Sequence, residues 1–309
     1  MLVAHVEQDG VFIAKGGMHG LACALTRVAE SQGATFHFGR GITSIATHQG
    51  RVSGVFLDDE RFEPADCVIY NGDASALAGG LLGTALPTPE PVKPAARSLS
   101  AMTWALKART DGFTPAHHTV LFADDYEAEF RAIFRNRTLP EVPTTYVCAP
   151  DRNDEGVLAD GSRLAGPQGE RLFCLINAPA DGDSHVYSSR ETDQCLTQSL
   201  RQMERCGLMV TPTTDPVLAA APSQFNSLFP GSGGALYGPA SHGWMASFKR
   251  QGSRTAVPGL YLAGGSVHPG PGVPMAALSG RLAAESLVED RATTPRFLPA
   301  GISGGMRMA

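Results

Sequence analysis

The stretch Pro258–Leu287 narrows the fold more than any other part of the chain. Leu260–Ala263 is an apolar run of strand length, Gly264–Gly272 is a turn of glycines and prolines, and Pro274 opens a segment without another proline through Leu287. Proline is tolerated in the first turn of a helix, where its missing N–H had no intrahelical partner. Met275, Leu278, Leu282 and Leu287 recur at roughly helical spacing, and Ala276, Ala277, Ser279, Gly280, Ala283 and Ala284 leave room for another backbone. A helix that opens this way directs unpaired N–H groups and the positive end of its dipole into the turn, which suits a polar or anionic cofactor group. The pattern reads as half of a cofactor site.

Bulk properties exclude several alternatives. The chain has 309 residues, a net charge of −5 and 43% hydrophobic residues. That is enough for one large domain or two. No basic stripe is present to neutralise phosphates, which argues against nucleic acid as a partner. No apolar run approaches the roughly 18 residues of a membrane span, and the N-terminus lacks the order of a signal peptide. A cytoplasmic location is the expectation. The six cysteines have no CxxC or other ligand-like spacing, so free thiols, mostly in the core, and no metal are expected.

Taken in order, Leu21, Leu25, Val28 and Ala29 fall on one face of a helix that Gly33 ends. Thr35–Phe38, Ile42–Ala46, Arg51–Leu57 and Cys67–Tyr70 are strand-like, and Asp73 precedes an expected helix Ala74–Leu82. Pro87, Pro89, Pro91 and Pro94 mark a stiff linker. Beyond it, Met102–Ala108, Thr119–Phe122, Thr144–Cys148 and Leu172–Asn177 read as strands and Asp125–Phe134 as a short helix. Ser188 and Glu191 have capping-box spacing ahead of the stripe Leu196, Leu200 and Met203, with Gly207 as the stop. Phe113, Phe122, Tyr126, Phe130, Phe134, Tyr146, Phe173 and Tyr187 are expected mostly to build a core. The glycine-rich Pro230–Gly234 returns the chain toward Leu236–Gly238, His242–Phe248 and the C-terminal strand, turn and helix; Thr293–Ala309 reads as a poorly ordered tail.

The run ALYGPASHGWMASFKRQGSRTAVPGLYLAGGSVHPGPGVPMAALSG resembles the C-terminal motif of the carotenoid-desaturase family of flavoproteins, and most of all its 1-hydroxycarotenoid 3,4-desaturase branch. GGMHGLACALTRVAESQGATFHFGRGITSIATHQGRVSGVFLDDERFEPADCVIYNGD resembles the middle of that family's FAD domain. The resemblance implies an α/β plus α+β fold, an incomplete Rossmann-like FAD-binding domain with a substrate domain. Residues 1–85 would be a partial FAD-binding domain, 86–235 the substrate domain, 236–290 the return to the FAD-binding domain and 291–309 a tail.

By the same resemblance the cofactor is FAD, held by Ile42, Asp73, Gly264, Gly265, Ser266, His268, Gly272, Val273, Pro274 and Met275. Ile42 would lie against the adenine through backbone groups, and Gly272–Met275 beside the flavin ring. Asp73 reads equally as a helix N-cap, and His268 as a residue that bonds its own turn. No G-x-G-x-x-G strand, turn and helix occurs in the sequence. The chain therefore looks like the C-terminal three-fifths of such an enzyme, lacking an N-terminal portion. No P-loop, HExxH or GxSxG is present either. His117 and His118 read as a solvated surface pair.

The implied activity is desaturation of a carotenoid C–C bond by hydride transfer to flavin, at or near the inner membrane surface, with no catalytic acid or base identified. A carotenoid isomerase or retinol-saturase-like flavoenzyme, or a remnant unable to hold FAD, are the alternatives.

Overall fold

In the computed structural model the described residues are 8, 10, 12–83, 86, 92–163, 165–240 and 250–293. His242–Phe248, the tail beyond residue 293, and Pro87, Pro89 and Pro91 of the expected linker lie outside them.

Helix α1 (Gly17–Ser31) ends two residues before Gly33, with Gln32 as its C-cap, yet none of its residues is buried. Strands β1 (Ile42–His48), β2 (Arg51–Leu57) and β3 (Phe62–Pro64) form an antiparallel meander. Thr35–Phe38 is not a strand. No neighbouring backbone among the described residues completes a ladder there, and strand propensity without a partner does not make a strand. β4 (Val68–Tyr70) instead pairs in parallel with β11 (Leu260–Leu262), aligning Leu260 with Val68 and Leu262 with Tyr70. Helix α2 (Ala74–Ala78) follows β4 and is shorter than its sequence suggested.

The remainder is built on β5 (Ser100–Gly112), the centre of a six-stranded sheet ordered β10-β5-β8-β7-β6, with β9 also against β5. The other strands are β6 (His118–Leu121), β7 (Thr145–Cys148), β8 (Glu170–Ala178), β9 (Leu208–Pro212) and β10 (Leu218–Ala220), and every pairing in the sheet is antiparallel. Helix α3 (Tyr126–Arg131) starts at Asp125, whose carboxylate accepts from the Ala128 amide, and runs into a π-turn over Ala132–Asn136. Helix α4 (Ser189–Arg205) has both halves of the capping box between Ser188 and Glu191. α5 (Pro222–Leu228) and α6 (Val273–Thr293) complete the set. One core contains Met102, Trp104, Leu106, Leu172, Ile176, Met203 and Leu208, where α4 covers the large sheet.

Three sequence expectations need correction. Of the eight aromatic residues assigned to a core, only Tyr187 is buried; Phe122 is 63% and Tyr126 50% exposed. Of the six cysteines, only Cys174 and Cys195 are buried. Along α6 the fully buried positions are Ser279, Ala283 and Ser286, whereas Met275, Leu278, Leu282 and Leu287 are half-buried. The helix lies so close to the strand beneath it that only small side chains fit the seam.

Candidate functional site

β11 is buried on both faces. Leu260 and Leu262 pack with Ile45, Val52, Leu77 and Val267, and Tyr261 and Ala263 pack against Ala283 of α6. A parallel strand buried this way reads as a continuous apolar run, which is why Leu260–Ala263 was legible. The carboxyl ends of β4 and β11 point the same way, and ligands in open α/β sheets bind beyond such ends. A cavity of about 270 Å³ opens there, walled by Asn71, Gly72 and Asp73 after β4 and by Gly264, Gly265 and Ser266 after β11. Ala276 in the first turn of α6 lines it too, and Phe225, Phe229, Ser232, Ala235, Leu236 and Gly238 close the other side.

The turn is held in shape by specific bonds. Gly264 has φ +115°, and a Cβ there would lie 2.7 Å from Asn71 Oδ1. Its amide donates to Ser279 Oγ at 2.7 Å, so the buried seam of α6 fixes the turn from below. Gly238 has φ +64°, and a Cβ would meet Ser266 Cα at 2.8 Å. Both positions admit only a bare backbone.

Arg250 joins the two walls. Its guanidinium donates to the carbonyls of Tyr237 at 2.9 Å and Pro239 at 2.8 Å, and to those of Gly265 and Ser266, each at 3.3 Å. Burial lowers its pKa, and the nearby Asp73 charge opposes that shift. Asp73 itself caps α2, accepting from the Ser75 amide at 2.8 Å, and also lines the cavity, so both of its sequence readings are compatible with its position.

The structure thus brings Asp73, Gly264, Gly265 and Ser266 together. Ile42, His268, Gly272, Val273, Pro274 and Met275 are not among the residues lining the cavity. Ile42 starts β1 opposite Leu57 and is exposed. The His268 amide donates to the Gln251 carbonyl at 2.8 Å, which ties the turn to the segment of Arg250. Gly272, Val273 and Pro274 are exposed at the start of α6, where the Gly272 carbonyl accepts from the Ala276 amide.

Sequence reasoning missed Arg250, Phe225, Phe229, Ser232 and Leu236. The four-residue spacing of Phe225 and Phe229 before a glycine loop was the available signal. Arg250 carried no signal beyond being a cation near glycines.

Phe225, Phe229 and Leu236 on one side, Asn71, Asp73 and Ser266 on the other, and a bare-backbone turn at a helix start suit a flat ring with a polar edge. A volume near the low end of the roughly 300–1,000 Å³ of ligand pockets suits one end of a dinucleotide. The glycine cradle fits a flavin.

The chain belongs to the flavin-containing amine oxidoreductase family, whose model matches residues 2–288. A hydroxyneurosporene desaturase of Rubrivivax gelatinosus is 51% identical over 307 residues, 99% of this chain and 57% of the relative. One from Cereibacter sphaeroides is 42% identical, covering 96% of this chain and 57% of the relative. A 1-hydroxycarotenoid 3,4-desaturase of a Flavobacterium species is 30% identical, covering 89% of this chain and 55% of the relative. The crystal structure of an oxidoreductase from Methanosarcina mazei shares the fold, with a TM-score of 0.51 at 19% identity over 89% of this chain and 55% of that one. The chain therefore spans 57% of the length of the first two relatives. The carotenoid-desaturase resemblance and FAD as the family's cofactor agree with these findings.

Proposed function

We propose that this chain supplies the flavin-facing turn and the substrate domain of a FAD-dependent desaturase acting on a hydroxylated carotenoid. The observation that carries the reading is the cavity at the ends of β4 and β11, in a chain 51% identical to a hydroxyneurosporene desaturase over nearly its whole length. Bound FAD would accept a hydride from a C–C bond of the substrate.

The chain's own residues perform the rest. Gly238, Gly264 and Gly265 let backbone approach the ring, and Phe225, Phe229 and Leu236 exclude water from one side. The start of α6, with Gly272, Val273, Pro274 and Met275, supplies a positive dipole end where charge develops on the ring. Ile42 is assigned to the adenine side and His268 to the turn. Residues 1–85 and 236–290 form the cofactor side and 86–235 the substrate side.

No helix among the described residues is long and apolar enough to cross a membrane. Peripheral contact with the inner membrane from the cytoplasmic side is the location that fits a lipid-like substrate. It is supported by the aromatic ladder Phe122, Tyr126, Phe130 and Phe134, whose successive ring centroids are 6.0, 4.8 and 5.9 Å apart.

The test uses the purified chain and a chimera in which its residues 2–288 replace the matched region of the Rubrivivax relative. Flavin retention is read by visible absorbance, and products are analysed with a hydroxylated and an unmodified carotene. The chimera is expected to hold flavin and to desaturate the hydroxylated carotene preferentially. A chimera that folds but neither retains flavin nor converts either carotene sinks the reading.

A further inference from the structure

At the β6 edge of the large sheet, two strands gather side chains that the cofactor reading does not use. His118 and Cys148 are direct partners across β6 and β7, which sets their Cβ atoms about 5 Å apart on one face. His117 immediately precedes β6, and its ring meets that of His118 edge-on with centroids 4.5 Å apart. One ligand-capable atom from each of His117, His118 and Cys148 lies within 4.8 Å of the other two; no other such triad occurs among the described residues. Cys148 is a free thiol.

The surroundings hold these groups for the purpose. His117 Nδ1 lies 2.7 Å from the Arg152 carbonyl oxygen. A carbonyl only accepts, so Nδ1 carries the hydrogen and Nε2 keeps its lone pair, the arrangement that fixes metal-binding imidazoles elsewhere. Arg152 is itself immobilised, its buried guanidinium paired with Glu170 and donating to Thr110 Oγ1 at 3.2 Å and to the Gly156 carbonyl at 2.7 Å. Tyr146, on the same face of β7 as Cys148, places its hydroxyl 2.7 Å from His118 Nδ1.

We propose that His117, His118 and Cys148 form a binding site for a borderline-soft transition-metal ion, best matched by Zn²⁺, with the fourth position open to water. Two imidazoles and a thiolate select such ions, whereas Mg²⁺ and Ca²⁺ require oxygen ligands that the triad lacks. Bonds of about 2.0–2.3 Å require the ligand atoms to draw in by about 1 Å. Exposed His118 supplies that movement by turning toward the anchored His117. The site shares no residue with the cofactor cavity and does not depend on its assignment.

The full chain, freed of metal, is titrated with Zn²⁺ by calorimetry and with Co²⁺ by absorption. One equivalent of each should bind, with a cobalt–thiolate charge-transfer band. Cys148→Ser should remove the band, and His117→Gln should weaken Zn²⁺ at least tenfold, with unchanged circular dichroism in both. Cys23→Ser removes the separate Cys23–His19 contact at 3.4 Å and should change nothing. A variant that does not fold is replaced by alkylation mapping of the native chain, in which Zn²⁺ should protect Cys148. The site is overturned by absence of stoichiometric binding, by a band that survives Cys148→Ser or vanishes in Cys23→Ser, or by unprotected Cys148.

Discussion

Gly264 and Arg250 decide the shape of the cavity by opposite means, one by having no side chain and the other by donating to four backbone carbonyls. Gly264→Ala places a Cβ against Asn71 in a backbone region that alanine avoids, at an expected cost of about 1–3 kcal/mol. Urea unfolding measures it, and Ser279→Ala, which removes the acceptor of the Gly264 amide, should cost about 1–2 kcal/mol by the same measurement. Arg250→Met leaves four carbonyls without their donor, a loss on the order of 3 kcal/mol. Arg250→Lys should recover only part of this, because a single ammonium cannot reproduce the planar fork. Equal stability of the Lys variant and the parent would show that charge, not the four-carbonyl clamp, is what the site needs.

At the level of elements, α6 and the segment after β8 carry the most informative contrasts. If the seam of α6 is made by Ser279, Ala283 and Ser286, then Ala283→Leu overpacks it at about 1–3 kcal/mol. Leu282→Ala, on the half-buried flank, should cost less, a ranking that thermal unfolding of the pair tests directly. After β8, Asp183 accepts from Arg97 at 3.0 and 2.7 Å, and the neighbouring Gly182 amide donates to the Gly233 carbonyl, tying the cavity's outer loop to the large sheet.

Hydrogen bonds from Arg97 hold the Asp183 carboxyl below the usual carboxylate range, outweighing its partial burial. A depressed folded pKa means a contribution fully present above the unfolded value of about 3.9 and lost as pH falls through the folded value. Asp183→Asn should therefore lower Tm near pH 6 and shrink the further drop on going to acid. Asp181 has the reverse sign: burial raises its pKa, so its ionisation costs stability as pH rises from the unfolded to the folded value, and Asp181→Asn should not lower Tm in this way. These elements also show what the sequence could reveal. Arg51–Leu57 and the Ser188–Glu191 capping box were legible because their signals are local. β3, β9 and β10 were not, since strands this short exist only through the partner that pairs with them, and neither was the seven-residue helix α5, too short to show a full helical stripe.

Across the whole molecule, periodicity told which residues share a face but not whether anything covers it. The stripe of α1 is regular, yet Leu25 and Val28 are exposed, and the ladder from Phe122 to Phe134 has the spacing of a packed ridge while facing solvent. The cavity at the ends of β4 and β11 was half legible for the same reason: Asp73 and the glycine turn are contiguous signals, whereas Phe225, Leu236 and Arg250 arrive from segments that only the fold brings near. If the aromatic ladder is the membrane contact, its chemistry dictates how it binds. Glu127 and Asp124 flank it, paired with Arg131 and Arg205, and the chain carries a net charge of −5, so attraction to anionic headgroups is not the expected driving force. Binding should come from apolar burial of the rings at the interface. In co-sedimentation, the chain should bind uncharged phosphatidylcholine vesicles, keep its bound fraction when salt is raised, and lose it several-fold in the double variant Phe122→Ser, Tyr126→Ser. Retention by that folded double variant, or binding only to anionic vesicles at low salt, would move the contact elsewhere on the molecule.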